Sequence, residues 1–385
     1  MPTTLPGRRD PNLRRDQLQP SATRGIDGWI ADNSHDTSFE WASRDRRDRL
    51  ADGIRGRSAR SMAVRPLGSL LRAREAGVFI ALVVLMVGLA IASPYFLEPQ
   101  NLFNVLRNMS TISIMAIGMT MVIVSGGIDL SVGSVLAVST MLTARVMVQF
   151  GLNPTLALVV GLAFGAALGA VNGLLITRVK VNPFITTLGM MSIARGLTYL
   201  FASGLVSSVA SNIPIKDKFI AFIGGGYVGP VPFPVIEMFA CVVLATLFLR
   251  NTVLGRQIYG VGSNERAARL SGVNVNRVRM FCYTITGLLA AYAGIMTAGL
   301  LSNALTDAGT GAELDVIAAA VIGGASLAGG EGSVIGAVIG AAIMAVLRNA
   351  FVLLGLPSYL QTISIGVVIV LAVSLDRLRR KEEEG

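Results

Sequence analysis

Long apolar runs, each closed by a short polar or glycine-rich break, repeat along the chain from Gly77 to its end. A helix needs about 20 apolar residues to cross the hydrocarbon core of a bilayer, so runs of this length predict membrane spans. The clearest runs are 77–93, 154–176, 280–302 and 358–375. Further runs lie at 105–125, 130–149, 184–203, 232–249, 313–328 and 333–354. The pattern predicts an all-α polytopic membrane protein with roughly ten transmembrane helices.

The composition distinguishes this interpretation from its alternative, in which the apolar runs are core helices of a large soluble protein. The 385 residues are 52% hydrophobic and only 15% charged. Soluble domains are about 45–50% apolar and about 25% charged. The shortage of charged residues therefore favours the membrane protein.

Basic residues predict the orientation of the spans, because short loops rich in Arg and Lys stay on the cytoplasmic side. They concentrate in the N-terminal arm, at 177–180, at 250–279 and at 376–381. Four, two and four predicted spans separate these segments, and even numbers let every basic segment face the cytoplasm with both termini inside. The expected domains are an arm at 1–75, a transmembrane domain at 76–376 and a tail at 377–385.

The arm alternates Arg with Asp, as in RDRRDRLADGIRGRSAR, and shows no apolar periodicity. This pattern is typical of disorder, and a solvated tail is the plainest interpretation. Contact with anionic lipids is an alternative for a basic cluster next to a membrane, and nucleic-acid binding is the least favoured one. The apolar region begins too late for a signal peptide. A start of translation at Met62 is a further hypothesis.

Residues that bind metals or carry chemistry are scarce. Cys241 and Cys282 lie in predicted spans and the single histidine, His35, lies in the arm, whereas a structural zinc ion needs four ligands. The sequence contains no G-x-x-x-x-G-K-[ST] phosphate loop. We therefore expect no cofactor bound by this chain and no catalytic residue.

Glycines recur at every fourth position of the predicted span at 154–176, as Gly161, Gly165, Gly169 and Gly173. Small residues in this register form a smooth face that lets two helix backbones approach closely in lipid. Chance is the alternative in a glycine-rich chain, but four in register favour tight helix packing. The pattern does not identify the partner helix.

Two glycine-rich segments, one in each half of the chain, resemble each other. GGIDLSVGSVLAV at 126–138 and GGASLAGGEGSVIGAV at 323–338 both begin with paired glycines and continue through GSV into an apolar run. Transporters are often built from such repeats, with broken helices meeting near the middle of the membrane. The sequence therefore predicts a pseudo-repeat of two halves with broken or re-entrant segments.

Asp129 lies in the first of these segments, where a carboxylate is costly unless it has partners. Irregular backbone at membrane depth is tolerated when it is buried in protein or lines a cavity. Freed backbone N–H groups or the hydroxyls of Ser131 and Ser134 can bond to the carboxylate. Two roles stay open: a structural cap that holds a helix break open, and a direct part in transport.

The loop at 250–279 carries the signal of a short helix. Ser263 or Asn264 can cap a helix start, ERAARL contains strong helix formers, and Gly272 fits a helix stop. An exposed, positively charged helix is suited to docking into a groove on a partner protein. A passive connector is the alternative.

Several motifs resemble the permease subunits of ribose-type (simple-sugar) ABC importers. They are GGIDLSVGSVLA at 126–137, NPFITTLGMMSIARGL at 182–197 and GTGAELDVIAAAVIGGASLAGGEGSVIG at 309–336. SNERAARLSG at 263–272 resembles the coupling loop of ABC importer permeases. The resemblance runs from Gly77 to the end of the chain and leaves the arm outside.

The resemblance implies a permease of a bacterial cytoplasmic (inner) membrane that pairs with a second copy or a paralogue. It would receive sugar from an extracytoplasmic binding protein and be driven by a partner ATPase, which holds the ATP and magnesium. The implied coupling residues are Glu265, Ala267, Ala268 and Gly272. The implied helix break near the translocation path comprises Gly126, Gly127, Asp129, Ser131 and Gly133. Family motifs without an assigned role contain Asn182, Pro183, Gly189, Gly323 and Gly324.

The solute remains open at this stage, because related permeases carry nucleosides, branched-chain amino acids or a furanone-type signalling sugar. An ion-coupled secondary carrier is a less favoured alternative, since few ionisable residues lie deep in the predicted spans. The ionisable candidates are Asp129, Arg145, Glu237 and Arg348, with Glu313 and Asp315 near a boundary.

Overall fold

The computed structural model describes residues 73–203 and 211–384. The predicted arm, including His35 and Met62, lies almost wholly outside the described residues. The expectations for that arm therefore stay predictions.

Helices make up nearly all of the described chain. They are α1 Ala73–Ala92, α2 Pro99–Val124, α3 Val132–Phe150, α4 Pro154–Leu174, α5 Pro183–Ser203, α6 Lys218–Gly225, α7 Phe233–Asn251, α8 Val253–Ser263, α9 Glu265–Leu270, α10 Val275–Leu301, α11 Ala312–Ile322, α12 Val334–Leu353 and α13 Ser358–Glu384. The strands are two residues long: β1 Ile213–Pro214 pairs antiparallel with β4 Asn303–Ala304, and β2 Tyr227–Val228 with β3 Val231–Pro232. The fold is all-α, as the apolar runs predict.

Several helix ends follow directly from the local sequence. Pro99, Pro154 and Pro183 stand at the first positions of α2, α4 and α5, where the missing proline N–H has no helical partner to lose. The side chain of Asn153 accepts the Thr155 N–H at 2.9 Å and so caps α4. At its other end, α4 continues into a π-helical turn over Leu175–Val179, which overlaps the predicted basic turn at 177–180.

Eight helices of the described chain are long and apolar enough to cross a membrane. The other two predicted spans correspond to α11 and α13. In place of a span at 313–328, α11 has 11 residues and a length of about 16 Å. It ends at the paired glycines, because Gly324 adopts a φ of 96° that a helix does not contain. In α13 the apolar part is 358–374, and the helix continues through most of the predicted tail.

The glycine stripe of α4 packs against α10 and α3. The contacts with α10 are Gly165 with Ala291, Gly169 with Tyr283 and Gly173 with Met280. Positions rise along α4 as they fall along α10, so the two helices run antiparallel. At the end near α3, a Cβ atom on Gly161 would lie 2.0 Å from the Thr143 hydroxyl oxygen. The structure thus identifies the partner helices that the stripe alone does not.

The helix α2 is the most enclosed of the candidate spans. In the most apolar stretch of α2, 83% of the residues are buried, compared with 17% in the corresponding stretch of α1. Gly118 lets α2 approach α10 closely, because a Cβ atom there would lie 2.9 Å from the Cα of Thr286. The segment that carries Asp129 continues directly from this enclosed helix and therefore begins in the centre of the helix bundle.

Replacing Gly169 by alanine should destabilise the protein. The added Cβ would lie 2.2 Å from the Tyr283 carbonyl oxygen, and such overpacking costs about 1–3 kcal/mol. Gly88→Ala in α1 is the matched control, since no described atom outside the neighbouring backbone of α1 lies within 4 Å of a Cβ there. Thermal unfolding of both variants in detergent measures the difference. Equal midpoints for the two variants would contradict the packing argument.

Candidate functional site

The segment predicted to couple to a partner folds as two helices, α8 and α9. Asn264 rather than Ser263 caps α9, since its side chain accepts the Ala267 N–H at 2.9 Å. Gly272 follows the end of α9 with a φ of 82°, a left-handed conformation that favours glycine. The sequence alone does not predict α8, because the several glycines of this helix weaken the helix signal.

Glu265 ties α9 to α10. One carboxylate oxygen accepts a hydrogen bond from Arg269 at 2.8 Å, and the other forms an ion pair with Arg279 of α10 at 2.8 Å. The Arg269 hydrogen bond, together with the charge of Arg279, holds the pKa of Glu265 below its ordinary value. The carboxylate is therefore ionised at neutral pH. Ala268 of α9 is buried in an apolar cluster that also contains Val275.

The outer face of α9 is open. Leu270 is 91% exposed, and Ala267 is exposed beside it. A groove of about 380 Å³ lies between α8 and α9, and its lining includes Arg256, Gly260 and Ser271. A partner that covered Leu270 would gain free energy from its burial, so this face has the character of a docking surface.

The first glycine-rich segment interrupts the chain between α2 and α3. Gly126 adopts a φ of 85° directly after the last turn of α2. Gly127 approaches α10 so closely that a Cβ atom would lie 2.3 Å from the Tyr283 hydroxyl oxygen. Arg279 also reaches this segment, since its Nε donates to the Ser125 carbonyl at 3.4 Å. The break thus packs directly on the helix that pairs with α9.

Asp129 is buried in the break, with 1% of its surface exposed. Its Oδ1 accepts two hydrogen bonds from Ser131, one from the backbone N–H at 2.9 Å and one from the hydroxyl at 2.6 Å. This arrangement is an Asx turn that leads into α3. Of the two serines expected as partners, Ser131 supplies the hydroxyl.

Three side chains that the sequence analysis did not single out hold this turn in place. Asn172 of α4 donates to the Ser131 hydroxyl oxygen at 3.0 Å. Thr187 of α5 and Tyr283 of α10 both donate to the Ile128 carbonyl at 3.4 Å. An amide in a long apolar run was the available signal for Asn172. Helices α4, α5 and α10 therefore fix the turn from three directions.

The two glycine-rich segments meet each other beside α8. The Gly330 N–H donates to the carbonyl of Val124, the last residue of α2, at 2.8 Å. A Cβ atom on Gly329 would lie 3.3 Å from the Cα of Gly126. One on Gly262 of α8 would lie 1.7 Å from the Val124 carbonyl oxygen. Three stretches of backbone are thus in direct contact, and a shift of one must displace the others.

A second contact between the two halves joins the starts of α3 and α11. A Cβ atom on Gly133 would lie 2.3 Å from the Gly309 carbonyl oxygen and 2.5 Å from the Glu313 carboxylate. At the other end of α11, Gly323 packs against the backbone of α12, and Gly324 makes the left-handed turn that ends the helix. The first glycine-rich segment therefore contacts the start of α11, and the second one forms the turn at the end of this helix.

The motif at 182–197 forms α5 and the residue before it. The Asn182 side chain accepts the Phe184 N–H at 2.9 Å, and Pro183 is the first residue of the helix. Gly189 faces open space, since no described atom lies within 4 Å of a Cβ there. Thr187 is the residue of this motif that reaches the Asp129 turn.

Two pairs of polar side chains connect spans elsewhere in the bundle. Glu237 of α7 accepts a hydrogen bond from the Tyr292 hydroxyl of α10 at 2.5 Å, and Asp315 of α11 pairs with Arg348 of α12. Charged groups inside a membrane require such partners. In the described ranges, no group of three or more His, Cys, Asp and Glu side chains could hold a metal ion.

Substitutions of Asp129 should separate its two candidate roles. Asp129→Asn keeps an acceptor oxygen for the Ser131 hydrogen bonds and should retain both folded protein and transport. Asp129→Leu leaves the buried N–H and hydroxyl of Ser131 unpaired, at a cost of about 1–3 kcal/mol. Thermal unfolding and uptake by membrane vesicles measure both effects. Equal loss of uptake in the two variants would show that transport needs the charge itself.

Comparisons with known proteins agree with this architecture. The family described as "Branched-chain amino acid transport system / permease component" matches residues 101–373. The ribose import permease protein RbsC of Escherichia coli (strain K12) is 45% identical over 301 residues, which cover 78% of this chain and 93% of the relative. RbsC of Bacillus subtilis (strain 168) is 42% identical over 79% of this chain and 93% of its own length.

A more distant relative is the L-arabinose ABC transporter permease protein AraH of Azospirillum brasilense, 33% identical over 81% of this chain and 90% of its own. The comparison with solved structures found no match. The family match covers most of the described helices, and the ribose import permeases align over nearly their whole length. The chain therefore belongs to the family of transport-system permease components that includes the ribose import permeases, and it is a multi-pass membrane protein.

Proposed function

We propose that this chain is the membrane-spanning permease subunit of an ATP-driven importer of a simple sugar, of the ribose, pentose or hexose type. The observation that carries the proposal is the direct connection between the exposed helix α9 and the two helix breaks. Glu265 and Arg279 form one part of this connection, and the backbone of Gly262 forms the other. A partner protein docked on α9 can therefore act on the centre of the bundle through a few close contacts.

In this proposal the docked partner is an ATPase that binds ATP and magnesium, because the sequence has no phosphate loop of its own. An extracytoplasmic binding protein delivers the sugar, and a second permease, either a copy or a paralogue, completes the transport path. The chain lies in the inner membrane of a bacterium with α9 and both termini on the cytoplasmic side. The basic segments favour this orientation, in which the short helix α11 and its flanking loops together complete one crossing.

The proposed mechanism is alternating access driven by two packings of the spans. ATP binding closes the ATPase dimer and moves the docked α9 helices. The movement reaches Ser125 through Arg279, and Val124 through Gly262. The breaks after α2 and α11 then shift together, because their backbones are in contact. This chain forms and breaks no covalent bond, since it is a transport subunit and has no catalytic residue to assign.

Affinity purification of the tagged protein from its native membranes, followed by mass spectrometry, tests this proposal. Recovery of a P-loop ATPase and a sugar-binding protein supports it, and the ligand of the binding protein identifies the sugar. If that ligand is a nucleoside or a signalling sugar, the proposed substrate class is wrong and the proposed mechanism still holds. A lone protein that transports solute without ATP, and stops when the ion gradient collapses, would show an ion-coupled carrier instead.

Leu270 provides a sharper test of docking. Leu270→Asp places a charge where the partner should bury an apolar side chain worth about 1.5–3 kcal/mol, so retention of the ATPase should fall by roughly tenfold or more. Leu270→Met is the matched control, because it keeps an apolar side chain of similar volume. Pull-down at graded ATPase concentrations measures retention. Wild-type retention by Leu270→Asp would remove this face from the interface.

A further inference from the structure

Arg279 lies between the helix that faces the proposed partner and the break at the end of α2. We propose that Arg279 is the positioning residue that transmits the movement of α9 to this break. The inference rests on the proposed function above and names the side chain through which the partner ATPase acts.

The guanidinium of Arg279 bonds to both structures at once. One terminal nitrogen lies 2.8 Å from the Glu265 carboxylate of α9, while Nε donates to the Ser125 carbonyl at 3.4 Å. The side chain is 23% exposed, so much of it is shielded from solvent. Arginine suits such a bridge because its donors are fixed in one planar fork, whereas lysine carries a single point charge.

The Ser125 carbonyl is a favourable target for a cation. Ser125 is the C-cap of α2, where unpaired carbonyls carry the negative end of the helix dipole. The Ser125 hydroxyl donates back to the Val122 carbonyl at 2.8 Å, which ties the cap to the last turn of α2. A force on this carbonyl therefore acts on the whole end of the helix.

Gly126 lies beside the guanidinium of Arg279. A Cβ atom at this position would lie 3.7 Å from the terminal nitrogen of Arg279, which is ordinary van der Waals contact. The positive φ of Gly126 excludes most other residues. Glycine is therefore required here by the turn, and the turn places the Ser125 carbonyl next to Arg279.

One face of α10 holds both ends of the break. Arg279 and Tyr283 are four residues apart, which places them on the same face of the helix. Arg279 bonds to the Ser125 carbonyl, and Tyr283 bonds to the Ile128 carbonyl. Of these two side chains, Arg279 also pairs with α9. A movement of α9 therefore acts on the break at the Ser125 end and leaves the Ile128 end held by α10.

The test uses the complete transporter, with its ATPase and binding protein, in proteoliposomes. The quantity measured is the number of sugar molecules imported per ATP hydrolysed. Arg279→Gln removes the charge and the bridge. Arg279→Lys keeps the charge but not the fork. Arg277→Gln, at an exposed position two residues earlier in the same helix, is the matched control.

We expect Arg279→Gln to lower the import ratio by about tenfold or more, the effect of losing a charge-assisted hydrogen bond. Arg279→Lys should give an intermediate ratio, and Arg277→Gln should keep the wild-type ratio. The ATPase should remain bound to all three, since docking uses the outer face of α9. A ratio for Arg279→Gln close to that of the wild type would overturn the proposal.

The charge-exchanged double variant, Glu265→Arg with Arg279→Glu, separates transmission from simple stabilisation of α9. It restores an ion pair between α9 and α10 but places an acidic group against the Ser125 carbonyl. We expect thermal stability to recover only in part, because Glu265→Arg also removes the partner of Arg269 and places two cations four residues apart, and we expect the import ratio to stay low. Recovery of the ratio would show that the ion pair alone matters, and loss of the ATPase from the Arg279→Gln and Arg279→Lys complexes would show a docking role. Either result overturns the proposal.

The wild-type transporter distinguishes failure of this inference from failure of the proposed function. If the wild type imports no sugar with ATP and the binding protein present, the proposed function is wrong and the inference falls with it. If the wild type imports sugar and the ratio is insensitive to Arg279, only the inference is wrong.

Discussion

Inside a bilayer no water is available to bond a free backbone N–H or C=O group, so every group released by a broken helix must find a partner within the protein. Much of this structure follows from that requirement. The carbonyl at the end of α2 accepts the Gly330 N–H, the Ser131 N–H bonds to Asp129, and the Ile128 carbonyl accepts two hydroxyl groups. These partners come from α5, from α10, from the segment around Gly330 and from the break itself, which explains why the break lies at the centre of the bundle.

The same requirement links stability to motion. A polar group at a break cannot be left unpaired, so a rearrangement must exchange one set of partners for another within a single transition. Close contacts between glycine backbones strengthen this effect, because Gly126, Gly262 and Gly329 meet without compressible side chains between them. Such packing favours two discrete arrangements over gradual deformation. Glycine is thus required at these positions for contact between elements as much as for turn geometry.

The sequence predicts the elements better than the contacts between them. Apolar runs predict the all-α fold and most spans, and local capping signals predict α9 and its end at Gly272. A window of hydropathy overestimates α11, because it does not weigh the paired glycines that stop the helix. The partners of the break were beyond reach, since Arg279 and Ser125 are 154 positions apart. Asn172 could have been suspected as an amide in an apolar run, but its target depends on how α4 packs against α3.

The close packing of glycines between α4 and α10 determines which parts of the chain stay fixed relative to each other. Gly165 and Gly169 meet Gly287 backbone to backbone: a Cβ on Gly287 would lie 2.3 Å from the Gly165 carbonyl oxygen. Two helices joined in this way cannot slide past each other without collision, so they form a single rigid frame. That frame also carries Asn172 and Tyr283, which bond to Ser131 and Ile128 on the two sides of Asp129. In the proposed mechanism, this pair of helices is the fixed part of the chain relative to which the helix breaks move.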